Sequence, residues 1–142
     1  MKKRLLIIPA KKISKRIKNK NIKKFYGKPI IFYSISNAIK SNLFSKIHVS
    51  TDSKKIKNIS QNLGIKIDFM RPKNLCKPNV PIIDVMRHDV EKYEALGYKF
   101  DEVWNLSACS PLIKTSDLIK ASKLFKRKKI LISISKFNTP IE

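Results

Sequence analysis

Short apolar runs alternate with stretches of helical periodicity along this chain, and that alternation limits its fold more than any other feature. The first run, residues 5–8, is apolar at every position and stops at Pro9. A run that is apolar on both faces is typical of a strand buried in a parallel sheet. The other predicted strands are residues 47–49, 65–70, 103–106 and 130–134.

Apolar residues at helical spacing occupy most of the segments between these strands. The predicted helix boundaries are a start with Pro29 in the first turn, an N-cap at Asp52 or Ser53, a stop at Gly64, a helix over residues 82–96, and an N-cap at Thr115 or Ser116. Strands that alternate with helices favour right-handed crossovers and a mostly parallel, doubly wound α/β sheet. The length of 142 residues fits one domain, residues 1–142. Ligands of such sheets bind at the carboxyl ends of the strands.

Composition excludes several classes of protein. No apolar run approaches the roughly 20 residues that a membrane helix needs, and no secretory signal is evident. We therefore predict a cytoplasmic protein that does not bind membranes. Cys76 and Cys109 form no CxxC pair and lie near no histidine pair, which argues against a disulfide framework or a zinc site. His48 and His88 have no visible acid–base partner in the sequence.

The formal net charge of +22 makes nucleic-acid binding the main alternative. Lysine greatly outnumbers arginine, however, whereas base and phosphate recognition favour the bidentate arginine fork. The charge is also uneven, because residues 1–28 hold twelve lysines and arginines and no acid. A local excess of this kind suits a small anionic ligand.

The loop after the first strand carries the strongest candidate site. It contains Lys11, Ser14 and Lys15, which can offer two ammonium groups and a hydroxyl to a polyphosphate. The loop has no glycines and is neither a Walker A motif nor a dinucleotide fingerprint. Charge alone would equally allow a solvated lysine-rich surface loop.

Six short motifs, in order, resemble those of the acylneuraminate cytidylyltransferases (CMP-sialic acid synthetases), including the relatives that act on pseudaminic or legionaminic acid. They are the strand and loop with Pro9-Ala10-Lys11, Ser14-Lys15 and Lys20-Asn21; Gly27-Lys28-Pro29; Val49-Ser50-Thr51-Asp52; Met70-Arg71-Pro72; Ile83-Asp84-Val85; and Ser107-Ala108-Cys109-Ser110-Pro111-Leu112. The resemblance covers nearly the whole chain and implies a nucleotidyltransferase fold.

The resemblance also implies a reaction and its residues. CTP and a nonulosonic acid would give a CMP-sugar acid and pyrophosphate, with Mg²⁺ bridging phosphate oxygens. Lys15 and Lys11 would be catalytic, and the nucleotide site would comprise Ala10, Lys11, Ser14, Lys15, Asn21 and Arg71. Ser107 would face the sugar-acid pocket. Full-length relatives would be homodimers.

This sequence departs from the family pattern at several positions. Lys11 replaces an arginine, Ser107 a glutamine, Cys109 a threonine and Ile113 an arginine. The chain also ends sooner than family members do, so we expect an N-terminal portion whose metal ligands lie elsewhere. An inactive remnant of the enzyme is therefore a further alternative.

Overall fold

A three-stranded parallel sheet forms the centre of the computed structural model, which describes residues 2–14, 17–125 and 129–134. Its strands are β1 (Arg4–Pro9), β4 (Lys46–Ser50) and β5 (Glu102–Asn105), in the order β4-β1-β5. Leu6 is in register with Ile47 on one side and with Trp104 on the other. The central position of β1 explains its sequence, because residues 5–8 are fully buried.

Helices cover both faces of this sheet. Alternate residues of β1 point to opposite sides, so Leu6 and Ile8 join one core cluster and Leu5 and Ile7 another. The helices are α1 (Ile30–Lys40), α2 (Lys54–Asn62), α3 (Ile82–Ala95) and α4 (Thr115–Leu124). Helices α1 and α2 contribute to the first cluster, and α3 closes the second through Tyr93. This arrangement is the doubly wound sheet that the alternation predicts.

The structure shows which residues cap α2 and α4, for each of which the sequence offered two candidates. Ser53 is the N-cap of α2, and its hydroxyl accepts the Ile56 N–H at 3.3 Å. Gly64 follows α2 with a φ of 85°, which the absence of a Cβ permits. The predicted caps of α4 are wrong, because Thr115 already lies in the helix and Lys114 precedes it. The Asp117 carboxylate accepts the Lys114 N–H at 2.8 Å.

Two predicted strands are absent from the part of the chain that the structure describes. Within residues 65–70, Ile65 and Ile67 alternate inward as predicted, but no ladder forms. The segment is instead joined to β4 by side chains, with Lys46 Nζ 2.6 Å from Asp68 Oδ2. Residues 130–134 are also not a strand, and Ile130, Ile132 and Ile134 are exposed there. Apolar alternation predicts burial, whereas a strand also requires a partner for its backbone.

The segment predicted as a loop over residues 10–28 contains local structure. A 3₁₀ turn, Lys20–Ile22, precedes a hairpin of β2 (Lys24–Phe25) and β3 (Lys28–Pro29). The two connecting residues have positive φ, 44° at Tyr26 and 75° at Gly27, as short hairpins with matched twist require. Pro29 is therefore the residue before α1 and not part of its first turn.

Candidate functional site

The loops that follow β1, β4 and β5 meet at the carboxyl edge of the sheet. Residues 10–14 follow β1, residues 51–53 follow β4, and residues 106–114 follow β5. In a parallel doubly wound sheet this edge is where ligands bind. The three loops therefore form the candidate site, and the hydrogen bonds between them fix its shape.

The loops after β1 and β4 are joined by two hydrogen bonds. The Ala10 N–H donates to Ser50 O at 2.9 Å, and the Lys12 N–H donates to Asp52 Oδ1 at 2.6 Å. Ala10 is completely buried, so neither its side chain nor its main chain is exposed in this structure, and its contact with a nucleotide stays a prediction. Asp52, which the sequence offered as a helix cap, instead holds the lysine-rich loop.

Arg71 fixes the end of β4 from beneath the loops. It is buried, and its Nε donates to Ser50 Oγ at 3.1 Å while Nη2 donates to Ser50 O at 2.8 Å. Its own N–H donates to Thr51 O at 2.8 Å. Burial lowers the pKa of Arg71 from its ordinary value. The predicted nucleotide residue thus has a clear supporting role in the structure.

Asn21 connects the loops after β1 and β5. Its Nδ2 donates to Lys11 O at 3.0 Å, and its Oδ1 accepts from Cys109 Sγ at 3.3 Å. Asn21 is buried, so these contacts replace water. The sequence placed Asn21 in the lysine-rich loop but gave no signal that Cys109 would contact it.

Helix α1 holds the loop after β5 with two side-chain hydrogen bonds and the start of α4 with a third. Ser34 Oγ donates to Ser107 O at 2.9 Å, and Asn37 Nδ2 donates to Ile113 O at 2.9 Å. Thr115 Oγ1 donates to Asn37 Oδ1 at 3.1 Å. Ser107 is exposed at the edge, and its Oγ accepts the Cys109 N–H at 3.2 Å. Its place is compatible with the predicted sugar-acid pocket.

The predicted phosphate-binding groups lie on the loop after β1. Lys11 and Ser14 are half-buried, and Lys15 falls outside the described residues. Lys11, Asp52 and Arg71 lie close enough to Cys76 for their charges to act on its thiol, although burial is the main cause of its raised pKa. Lys11 and Arg71, far apart in sequence, therefore both lie within electrostatic range of Cys76.

Magnesium, which the family resemblance implies, has no assembled cluster of candidate ligands among the described residues. Within residues 2–14, 17–125 and 129–134, no three His, Cys, Asp or Glu side chains meet as metal ligands. Asp52 is the sole carboxylate on the described parts of the three loops, and its Oδ1 already accepts from Lys12. In the same ranges, no helix is long and apolar enough to span a membrane.

A second polar cluster, which the sequence did not reveal, lies on the α3 face of the sheet. Tyr93 Oη donates to Asp68 Oδ2 at 3.0 Å and lies 3.0 Å from His48 Nδ1. Because Asp68 pairs with Lys46 and can only accept, Tyr93 gives it the proton and His48 Nδ1–H donates to Tyr93. His48 Nε2 lies 3.9 Å from Asp89 Oδ1, and both residues are fully buried. Desolvation by burial lowers the pKa of His48 to about 4.

Comparison with known families identifies the type of domain. Residues 5–129 match the model of a family described as cytidylyltransferase. The pseudaminic acid cytidylyltransferase of Campylobacter jejuni is 36% identical over 142 residues, which are 99% of this chain and 61% of that protein. The CMP-N,N'-diacetyllegionaminic acid synthase of Legionella pneumophila is 31% identical over 132 residues, 92% of this chain and 57% of that protein. The chain thus spans about three fifths of the length of these relatives.

A solved structure confirms the fold. A CMP:2-keto-3-deoxy-manno-octonic acid synthetase, determined in complex with CTP, superimposes with a TM-score of 0.71. The match covers 87% of this chain and 47% of that one, at 22% identity. The predicted α/β fold of the nucleotidyltransferase type is confirmed at this level.

Proposed function

This chain belongs to the cytidylyltransferase family, and on that premise we propose that it forms the nucleotide-binding part of a CTP-dependent enzyme that activates a nonulosonic acid. The observation that carries the proposal is the joining of the lysine-rich loop to the loops after β4 and β5, at the edge where α/β sheets bind ligands. The comparisons favour this function over the nucleic-acid alternative.

The proposed reaction is a nucleotidyl transfer. The anomeric hydroxyl of the sugar acid attacks the α-phosphorus of CTP, the α–β phosphoanhydride bond breaks, and pyrophosphate and the CMP-sugar acid form. Negative charge is redistributed over the phosphate oxygens in the transition state, and fixed cations stabilise it. Lys15 and Lys11 are proposed to supply that charge, with the Ser14 hydroxyl as a hydrogen-bond donor.

Two other predicted residues, Asn21 and Arg71, are proposed to hold the loops of the site in place. Asn21 and Arg71 were expected to contact the base and the ribose, and that remains a prediction. Their observed contacts are to Lys11, Cys109 and Ser50, which support a role in holding the pocket open for the nucleotide.

The proposed second substrate is a nine-carbon sugar acid of the sialic, pseudaminic or legionaminic type, because relatives named for such substrates match almost the entire chain. Exposed Ser107 is the proposed contact to it. We also propose that Mg²⁺ is required, that the full-length enzyme is a cytoplasmic homodimer, and that the product serves the synthesis of cell-surface glycans.

Thermal unfolding of the purified chain with CTP and Mg²⁺ tests the nucleotide proposal, with ATP and GTP as controls. A ligand that binds only the folded state raises the melting temperature, so CTP should raise it by a few degrees more than either control. Lys15→Ala should abolish the shift. Lys18→Ala removes the same charge from an exposed position of the same segment and should retain it.

Equal shifts with all three triphosphates would contradict a cytidine-specific site. Binding of a single-stranded oligonucleotide that persists at moderate salt and displaces CTP would instead support the nucleic-acid alternative. A folded chain that shows no shift with any nucleotide would contradict binding by this part of the protein alone.

A further inference from the structure

The peptide group between Lys11 and Lys12 is held at both ends. Its oxygen, Lys11 O, accepts from Asn21 Nδ2 at 3.0 Å, and its N–H, on Lys12, donates to Asp52 Oδ1 at 2.6 Å. One end is thus tied to the loop after β4 and the other to buried Asn21. A peptide plane fixed at both ends also fixes the direction in which the Lys11 side chain leaves the backbone.

The orientation of the Asn21 amide is determined chemically. Lys11 O is an acceptor only, so Nδ2 must face it and Oδ1 must face Cys109. Cys109 Sγ, 3.3 Å from Oδ1, is then the donor that completes the amide's bonding. Burial raises the pKa of the Cys109 thiol although the charge of Lys20 acts in the opposite direction, so the S–H proton is retained at neutral pH.

Cys109 is itself fixed to the scaffold. Its N–H donates to Ser107 Oγ at 3.2 Å, and Ser107 O accepts from Ser34 Oγ of α1 at 2.9 Å. A continuous series of hydrogen bonds therefore runs from α1 through Ser107, Cys109 and Asn21 to Lys11. Through it, the loop after β5 sets the conformation of the loop after β1.

We propose that Cys109 is a positioning residue of the nucleotide site, whose thiol orients Asn21 so that the amide holds the Lys11–Lys12 peptide. The expected effect of Cys109 on CTP binding rests on the proposed function. Its expected effect on the conformation of the loop after β1 does not. Loss of the thiol donor leaves Asn21 Oδ1 unpaired in a buried place, which favours rotation of the amide and release of Lys11 O.

Hydrogen exchange of the Lys12 amide and CTP affinity, measured on Cys109→Ala and Cys109→Ser, test the proposal. Cys109→Ala should speed exchange at Lys12 and weaken CTP binding about three- to tenfold, the value of one hydrogen bond. Cys109→Ser keeps a donor and should restore both properties. Adding Asn21→Ala to Cys109→Ala should cause no further loss beyond that of Asn21→Ala alone, because Cys109 acts through Asn21.

An exchange rate at the Lys12 amide that is unchanged in Cys109→Ala would overturn the proposal. Equal losses of amide protection and CTP affinity in the alanine and serine variants would also overturn it. Exchange that depends on the thiol in a chain that binds no CTP would confirm the positioning role and reject the proposed function. The two proposals can therefore fail separately.

Discussion

Several polar side chains at the candidate site form hydrogen bonds with the main chain of neighbouring loops. Arg71, Asp52 and Asn21 each accept or donate a hydrogen bond with a main-chain atom of a neighbouring loop. From the sequence, Asn21 and Arg71 were predicted as nucleotide residues and Asp52 as a possible helix cap. Their hydrogen-bond partners could not be predicted from the sequence, because a bond between Asn21 and Lys11 or between Arg71 and Ser50 depends on how three loops pack.

Replacement of Arg71 by lysine tests the importance of its planar fork. Lysine keeps the charge but cannot donate to Ser50 Oγ and Ser50 O from one rigid group. We expect Arg71→Lys to lower the free energy of unfolding by about 2 kcal/mol, the cost of leaving buried polar groups unpaired. Urea denaturation measures this effect.

Arg87→Lys is the matched control for that substitution. Arg87 pairs with Asp84 at an exposed position, where an ion pair contributes little to stability. A loss in Arg71→Lys no larger than that in Arg87→Lys would show that the buried fork does not support the fold.

His48 makes stability depend on pH. Its pKa is about 4 in the folded protein and near 6.5 when unfolded, so between these values the unfolded chain binds the additional proton. Stability is therefore fully present above pH 6.5 and falls as pH decreases towards 4, by up to about 3 kcal/mol. Urea denaturation across this range measures the loss, and His48→Asn should flatten the dependence.

The ion-paired carboxylates act in a different pH window. Hydrogen bonds with cations lower the pKa of Asp68 and of Glu102 despite the opposing effect of burial, so their contribution is lost only below the ordinary range of carboxyl groups. A flat stability profile between pH 6.5 and 4.5 in the parent chain would contradict the assignment to His48.

At the scale of secondary structure, burial was easier to predict than pairing. Strands β1, β4 and β5 and helices α1 to α4 follow from the apolar pattern, because a short apolar run predicts a buried strand and an apolar stripe at helical spacing predicts a packed helix. Residues 65–70 show the limit of this argument. Ile65 and Ile67 are buried as their spacing predicts, yet the backbone forms no ladder. The short hairpin of β2 and β3 was missed because it is too short for a periodic signal.

The N-cap of α2 gives a prediction at this scale. Ser53→Ala removes the acceptor of the Ile56 N–H and should lower the free energy of unfolding by about 1 kcal/mol. Ser116 lies inside the first turn of α4 at an exposed position, so Ser116→Ala serves as the control. Comparable losses in the two variants, measured by chemical denaturation, would argue against Ser53 as the cap.

At the scale of the whole molecule, the charge of +22 acts on all states of the chain. Self-repulsion among like charges weakens a compact state, and salt screens it over a Debye length of about 10 Å at 0.1 M. We expect the melting temperature to rise with sodium chloride concentration. A melting temperature that falls as salt is added would show that favourable ion pairs outweigh this repulsion.

If the three loops at the carboxyl edge form a site for CTP, an NMR titration will locate the bound nucleotide there. Amide signals of the chain labelled with ¹⁵N would be followed as CTP is added, with GTP as the control. We expect CTP, and not GTP, to shift signals confined to residues 10–22, 50–53, 71 and 106–110. Shifts spread over surface lysines, or identical shifts with both nucleotides, would contradict it.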